Sequence, residues 1–138
     1  MHADGFLAPE SAADVHEAYE SVGPGAQVLV KEVAKAMELG AEEYDERVDA
    51  DVVETARDAM FASLLKVRIG TSEEFEEWDE SYDGEVTVLG SENVDNVVWH
   101  AGPDDEAVAA TFQDEETAAV GTLRRQAYGR IYREIIAE

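Results

Sequence analysis

The sequence predicts an α+β fold: N-terminal helices, a small antiparallel β-meander of about three strands, and a closing C-terminal helix. Apolar residues recur at helical spacing over residues 11–82, and the period changes to two at Asp83-Gly84. A helical pattern returns over residues 114–136. Because 138 residues suit one domain, we expect a single domain over residues 1–138, with the meander at 85–112.

The N-terminal helices are delimited by cap and breaker residues. Residues 1–10 show no periodic pattern and are expected to form a loose arm. Ser11, with Asp14 three residues later, predicts a helix start, and Gly23-Pro24-Gly25 is expected to end that helix. A second helix is then expected over residues 26–39, with Gly40 just past its end.

Two further helices are predicted before the strands. Asp51 opens a long amphipathic pattern that runs to about Ile69. Thr71 and Glu74 then form a capping box for a short helix.

The strand predictions rest on alternation and turn residues. Residues 85–89 and 96–101 alternate between two faces, and glycine-containing turns follow each segment. Residues 106–112 are expected to form a third strand, although their three alanines leave a helical interpretation open. Asp114 is expected to cap the final helix, which runs to about residue 136.

The chain is strongly acidic. It holds 33 Asp and Glu against 10 Lys and Arg, for a net charge of −23, and only three of the basic residues are lysines. Like charges at this density oppose compaction in dilute salt. At about 1 M salt the Debye length falls to about 3 Å, which screens them. We therefore expect a halophilic protein with hydrated K⁺ or Na⁺ at its surface, and we expect neither a membrane nor nucleic acid to bind that surface as a whole.

Several classes of protein are excluded or disfavoured by composition. The chain has no cysteine, so it has no disulfide and no thiolate nucleophile. No apolar run approaches 18 residues, and residues 1–5 lack the features of a signal peptide, so we expect a cytoplasmic protein. There is no P-loop and no dinucleotide-binding glycine motif, and no cofactor is expected.

One acidic segment resembles the first half of an EF-hand calcium loop. Asp79, Ser81 and Asp83 stand at loop positions 1, 3 and 5, where alternate oxygens would converge on a hard cation. The position of the essential bidentate glutamate is Gly90, however, and the residues that follow alternate like a strand. We therefore interpret this segment as a solvated helix end before a turn, with these three residues as weak metal candidates.

The histidines offer little for catalysis. His16 and Glu20 share a helical face but lack the second histidine of a zinc-protease helix, so a surface pair is the preferred interpretation. His100 lies on a predicted strand before Asp104 and Asp105 and is a candidate pocket residue; a strand histidine that packs or faces solvent is the default.

The C-terminal helix concentrates positive charge. Residues 122–138 have a net charge of +2 against −25 for the rest of the chain, from Arg124, Arg125, Arg130 and Arg133. Arginine interleaved with tyrosine can hold phosphates and stack on bases. An apolar stripe on the same helix favours docking on the sheet, with the arginines paired to carboxylates within the chain or across a subunit contact. We prefer this second interpretation, since a body of charge −23 repels a phosphate backbone.

The composition as a whole resembles that of small acidic haloarchaeal proteins of unknown function. The segments that look characteristic are Val22-Gly23-Pro24 with Lys31-Glu32-Val33, and residues 111–114 with 121–125. The resemblance supplies no catalytic motif. Our leading hypothesis is a non-catalytic interaction or regulatory domain that forms a homodimer through helical surfaces. Two alternatives stay open: a metal-dependent or acid–base enzyme using residues 79–83 or His100, and a nucleic-acid accessory protein using the C-terminal arginines.

Overall fold

A computed structural model describes all residues, 1–138, and confirms the α+β class. The six helices are α1 (Ala12–Ala36), α2 (Ala41–Arg47), α3 (Ala50–Ser63), α4 (Ser72–Ser81), α5 (Glu116–Ala127) and α6 (Arg133–Ala137). A π-helical turn, Tyr128–Tyr132, joins α5 to α6. The strands are β1 (His2–Asp4), β2 (Val67–Thr71), β3 (Glu85–Leu89), β4 (Asn96–Ala101) and β5 (Glu106–Phe112). No helix is long and apolar enough to cross a membrane.

The sheet has five strands in the order β1-β2-β4-β5-β3 and is mixed. The three predicted strands all form, and β4 and β5 are antiparallel neighbours as a meander requires. β3, however, pairs in parallel with β5 and does not touch β4. The physical reason lies in burial: β4 is buried at four consecutive positions and needs a neighbour on each side, whereas β3 is exposed or half-buried throughout, as suits an edge strand.

The N-terminal residues belong to the sheet. In place of the loose arm expected over residues 1–10, His2–Asp4 pair antiparallel with β2 and form the edge strand β1. The backbone N–H groups of Phe6 and Leu7 then donate to the carbonyl of Leu64. A strand of three residues is too short to show a recognisable alternation of apolar and polar residues in the sequence alone.

Helix α1 continues through Gly23-Pro24-Gly25, so the predicted break there is wrong. Ser11 caps this helix as predicted, accepting from the Asp14 N–H at 3.2 Å. One face of α1 stays buried along its length, and α3 packs against it. This burial offsets the hydrogen bond that Pro24 cannot make. The helix ends at Ala36 rather than at the predicted Leu39.

The predicted helix up to Ile69 is also wrong in its second half. Helix α3 is capped by Asp49 rather than Asp51, and it ends at Ser63. Val67 and Ile69 are buried while Arg68 is exposed, which is the alternation of a strand. The β-branched residues Val67 and Ile69 suit that strand. The next helix, α4, starts with the predicted capping box of Thr71 and Glu74.

Helices cover both faces of the sheet. The main core lies between one face and helices α1, α3 and α5, around Phe61, Leu65, Val98 and Leu123. On the other face, α4 covers a small cluster of buried Phe75, Val97, Trp99 and Ala109. The final helix begins at Glu116, two residues beyond the predicted cap Asp114, and packs against β4 and β5.

Candidate functional site

The four C-terminal arginines do not form one cluster. Arg124 turns inward: its side chain is 15% exposed, its Nε donates to the Leu65 carbonyl at 2.9 Å, and a terminal nitrogen lies 3.6 Å from an Asp4 oxygen. Arg124 therefore ties α5 to the chain just before β2 and to the N-terminal edge strand.

The other three arginines are exposed and have no carboxylate within ion-pair distance. Arg130 donates to the Gln126 side chain at 3.1 Å. The guanidinium of Arg133 stands 5.6 Å from the ring centre of Tyr128. Of the four arginines, only Arg124 thus lies beside a carboxylate of this chain. For Arg125, Arg130 and Arg133, pairing across a subunit contact stays a prediction.

His100 is buried and takes part in a hydrogen-bonded pair. Its ring is 1% exposed, its Nδ1 lies 2.5 Å from the Lys66 carbonyl and its Nε2 lies 2.5 Å from the Tyr132 hydroxyl. Because a carbonyl only accepts, Nδ1 carries the proton, and Nε2 accepts from the tyrosine. Burial lowers the pKa of His100, and the nearby Arg124 lowers it further against the opposing effect of the Lys66 carbonyl.

This neutral pair is enclosed within the core. Tyr132 is fully buried, and burial raises the pKa of its hydroxyl. No large cleft reaches either side chain. Sequence reasoning singled out His100 but missed Tyr132; the available signal was only that Tyr132 lies next to the apolar stripe of its helix.

A second polar network joins α1 to α3 and was not foreseen. The Tyr19 hydroxyl donates to Asp58 at 2.6 Å, and the Nε of Arg57 donates to the Tyr19 carbonyl at 2.9 Å. The Arg57 guanidinium also lies 4.2 Å from the centre of the Tyr19 ring. Burial, and then the hydrogen bond to Asp58, raise the pKa of Tyr19. These contacts hold two helices together.

The acidic segment does not form a cation loop. Asp79 and Ser81 belong to helix α4, where the Ser81 hydroxyl donates to the Trp78 carbonyl at 2.9 Å. Asp83 lies beyond the end of the helix. No three carboxylate or histidine side chains come close enough to hold a metal ion, and no ion pair joins His16 to Glu20.

A cleft lined mostly by polar residues lies between β1 and α5. It has a volume of about 480 Å³, and its walls include His2, Asp4, Glu116 and Arg124. Side chains approach one another across it: His2 lies 3.5 Å from Glu116, and Arg124 lies 3.6 Å from Asp4. The cleft is thus bridged by contacts within the chain.

An apolar groove lies between the C-terminal half of α1 and helices α2 and α3. Its volume is about 390 Å³, and ten of its twelve wall residues are apolar, the others being Arg47 and Thr55. Leu29, Val33 and Met37 are 45%, 49% and 60% exposed, although they follow one another at helical spacing. In a chain that is 31% charged, such a surface is an exception that suits a protein contact. We call it the apolar groove.

Comparison with known proteins gives a family but no activity. No curated protein and no solved structure matches the chain. The model of a family of unknown function, DUF5809, matches residues 6–133, which is nearly the whole length and includes every helix and strand except β1 and α6, of which only the first residue is matched. The chain therefore belongs to this family.

Proposed function

We propose that this protein is a non-catalytic interaction domain that pairs with a second copy of itself through the apolar groove. The main support for this proposal is the groove, which is an exposed apolar surface on an otherwise highly charged molecule. His100, on which one enzyme alternative rested, is buried and hydrogen-bonded to Lys66 and Tyr132 within the core.

The total accessible surface of the chain supports the presence of a binding partner. A compact monomer of 15.1 kDa has an accessible surface of about 7,100 Å². This chain exposes 8615 Å², which is about 1,500 Å² more. A standard interface buries about 800 Å² on each partner, so the excess is large enough to include one.

Charge favours a second copy as the occupant. Residues 27–37, which end α1, have a net charge of +1, owing to Lys31 and Lys35, whereas residues 38–54 have a net charge of −7. A two-fold axis would place α1 of one copy against the acidic α2–α3 segment of the other. Such self-complementarity is what an isologous dimer requires.

The same charges define the solvent for which the protein is suited. With a net charge of −23 per chain, two copies would repel strongly in dilute salt and associate once the charges are screened. We therefore propose a halophilic, cytoplasmic dimer whose acidic surface holds hydrated K⁺ or Na⁺.

The test is the molar mass in solution, measured by size-exclusion chromatography with light scattering in about 2 M KCl. We expect a dimer for the natural sequence and a monomer for the variant Val33→Glu with Met37→Glu. Phe6→Glu is the matched control, because Phe6 is 84% exposed but lies outside the groove, and it should remain dimeric. A monomeric natural protein, or a dimer in the groove variant, would overturn the proposal.

Nucleic acid is the second candidate partner, favoured by the three exposed arginines Arg125, Arg130 and Arg133. Chromatography with a single-stranded oligonucleotide, at the lowest KCl concentration at which the protein stays folded, distinguishes it, because high salt would screen phosphate contacts. Co-elution that is lost when these three are changed to Gln would assign the C-terminal helix to nucleic acid; elution without the oligonucleotide would remove this candidate.

A further inference from the structure

Helix α2 is the helix with the fewest attachments to the rest of the molecule. None of its seven residues is buried. Its side chains form no hydrogen bond and no ion pair with another element. Its backbone groups form hydrogen bonds only within the helix and at its two ends. Each of the other helices packs against a second helix or against the sheet.

A helix of this length is not stable by itself. An isolated helix shorter than about 12–15 residues is marginal in water, and most helices in proteins are stabilised by the packing of an apolar face. Helix α2 buries no residue, and Gly40 at its N-cap position supplies no side-chain cap. We therefore expect α2 to unfold locally with ease in a single chain.

The segment that contains α2 lies between two fixed helix ends. The Leu39 N–H donates to the Ala34 carbonyl at 3.1 Å, which closes the last turn of α1. Helix α3 begins at the side-chain cap of Asp49. Next to the first of these ends, a Cβ at Gly40 would meet no atom within 4 Å, so the chain there is not packed. We call residues 40–48 the α2 flap, because its backbone is held only at its two ends.

The α2 flap lies at the rim of the apolar groove, and its charge is unmatched. Its last two residues, Arg47 and Val48, form part of the groove wall. The flap has four acidic residues and a net charge of −3. Helix α1, which forms another wall, carries the exposed Lys31 and Lys35, but no carboxylate of the flap lies within ion-pair distance of either lysine. The attraction between flap and lysines is therefore available to a second copy.

We propose that the α2 flap couples its own folding to dimer formation: it opens and closes freely in a single chain and becomes ordered when a second copy docks on the groove. This inference rests on the proposed function, because the surface that orders the flap is α1 of the partner, with its two lysines and its exposed Val33 and Met37. The entropy lost when the flap becomes ordered opposes association. The flap thus regulates the affinity of the dimer.

Hydrogen–deuterium exchange of the full chain, measured by mass spectrometry in about 2 M KCl, provides the test. The natural protein is compared with the groove variant Val33→Glu with Met37→Glu, and light scattering gives the molar mass of each sample. We expect the flap to exchange at least tenfold more slowly in the dimeric natural protein than in the monomeric variant. Helix α4 is the internal control, because this short helix has a capping box and a buried Phe75, and its exchange should not differ.

Phe6→Glu is the matched control variant, since it adds a negative charge at an exposed position outside the groove and should exchange like the natural protein. A dilution series of the natural protein repeats the comparison without a substitution in the groove, and the flap should lose protection as the molar mass falls. Equal exchange of the flap in dimer and monomer would refute this inference and leave the dimer intact. A natural protein that is monomeric at every concentration would instead refute the dimer, and with it the ordering of the flap by a partner.

Discussion

The Tyr132 hydroxyl donates to Nε2 of His100 across 2.5 Å, and neither side chain is more than 1% exposed. The pair joins the π-helical turn after α5 to the central strand β4. On its other side, the imidazole donates to the Lys66 carbonyl just before β2. One buried histidine therefore connects three separate segments, which gives it a structural role that its position on a strand did not reveal.

Tyr132→Phe should lower the free energy of unfolding by about 1–3 kcal/mol, because it leaves His100 Nε2 buried without a donor. Chemical denaturation in about 2 M KCl measures this. Tyr44→Phe on α2 is the control, since the Tyr44 hydroxyl makes no hydrogen bond to the protein and the residue is only half-buried. Equal stabilities for the two variants would contradict a structural role for the pair.

Stability should fall as the pH drops below about 6.5 because of His100. Burial lowers the pKa of the folded histidine, so the folded state stays neutral while the unfolded chain takes up a proton. The unfolded state then binds more protons, and the free energy of unfolding decreases by at most about 1.4 kcal/mol per pH unit from this group. Above the unfolded pKa the effect is absent.

Urea titrations of the natural protein and His100→Gln between pH 7.5 and 5.5 isolate this contribution. The variant is expected to be less stable than the natural protein at pH 7.5. Its free energy of unfolding should, however, decrease less on acidification. Parallel curves for the two proteins would show that His100 is not held neutral.

Gly121→Ala should stabilise the protein by about 0.5–1 kcal/mol. Gly121 lies inside α5, and a Cβ there would meet no atom within 4 Å. Gly84→Ala should have the opposite effect, because its Cβ would collide with the backbone carbonyl of Asp105. That carbonyl accepts from the Glu85 N–H at 2.9 Å, where the parallel pairing of β3 and β5 begins. Thermal unfolding of both variants tests the pairing of β3 with β5. An unchanged melting temperature for Gly84→Ala would contradict that pairing.

The melting temperature should rise between about 0.1 M and about 2 M KCl as repulsion among the carboxylates is screened. The variant Glu76→Gln with Glu77→Gln and Asp79→Asn removes three exposed charges from α4 and should gain less from the added salt. Differential scanning calorimetry measures both. An unchanged melting temperature across this range would refute the halophilic interpretation.

Local signals in the sequence predicted the elements whose stability is local. Ser11 and the Thr71–Glu74 capping box start helices as expected, and the alternating segments at 85–89, 96–101 and 106–112 are strands. The errors arose where tertiary contacts, rather than the local sequence, determine the secondary structure. Pro24 is tolerated within α1 because the helix buries a face against α3, and residues 67–71 leave the helical pattern because β1 and β4 pair with them.

The candidate site was predictable only in part, since it depends on which apolar residues remain uncovered. The apolar pattern of Leu29, Val33 and Met37 was visible, but a helical stripe reads the same whether it faces the core or a partner. The hydrogen bond between His100 and the Lys66 carbonyl was not foreseen, because it needs β2 beside β4, and the first part of β2, up to Ile69, was predicted as the end of a helix.

The edge position of β1 imposes an order on folding during synthesis. Synthesis runs from the N-terminus to the C-terminus, so His2–Asp4 are made well before their partner strand, residues 67–71. The strand β2 in turn needs β4, and β3 needs β5, each later in the sequence. Helices α1 and α3 can therefore pack early, whereas the sheet closes only after residue 112 has been released. The residues of β1 thus precede their partners in synthesis and are among the last to reach their native contacts.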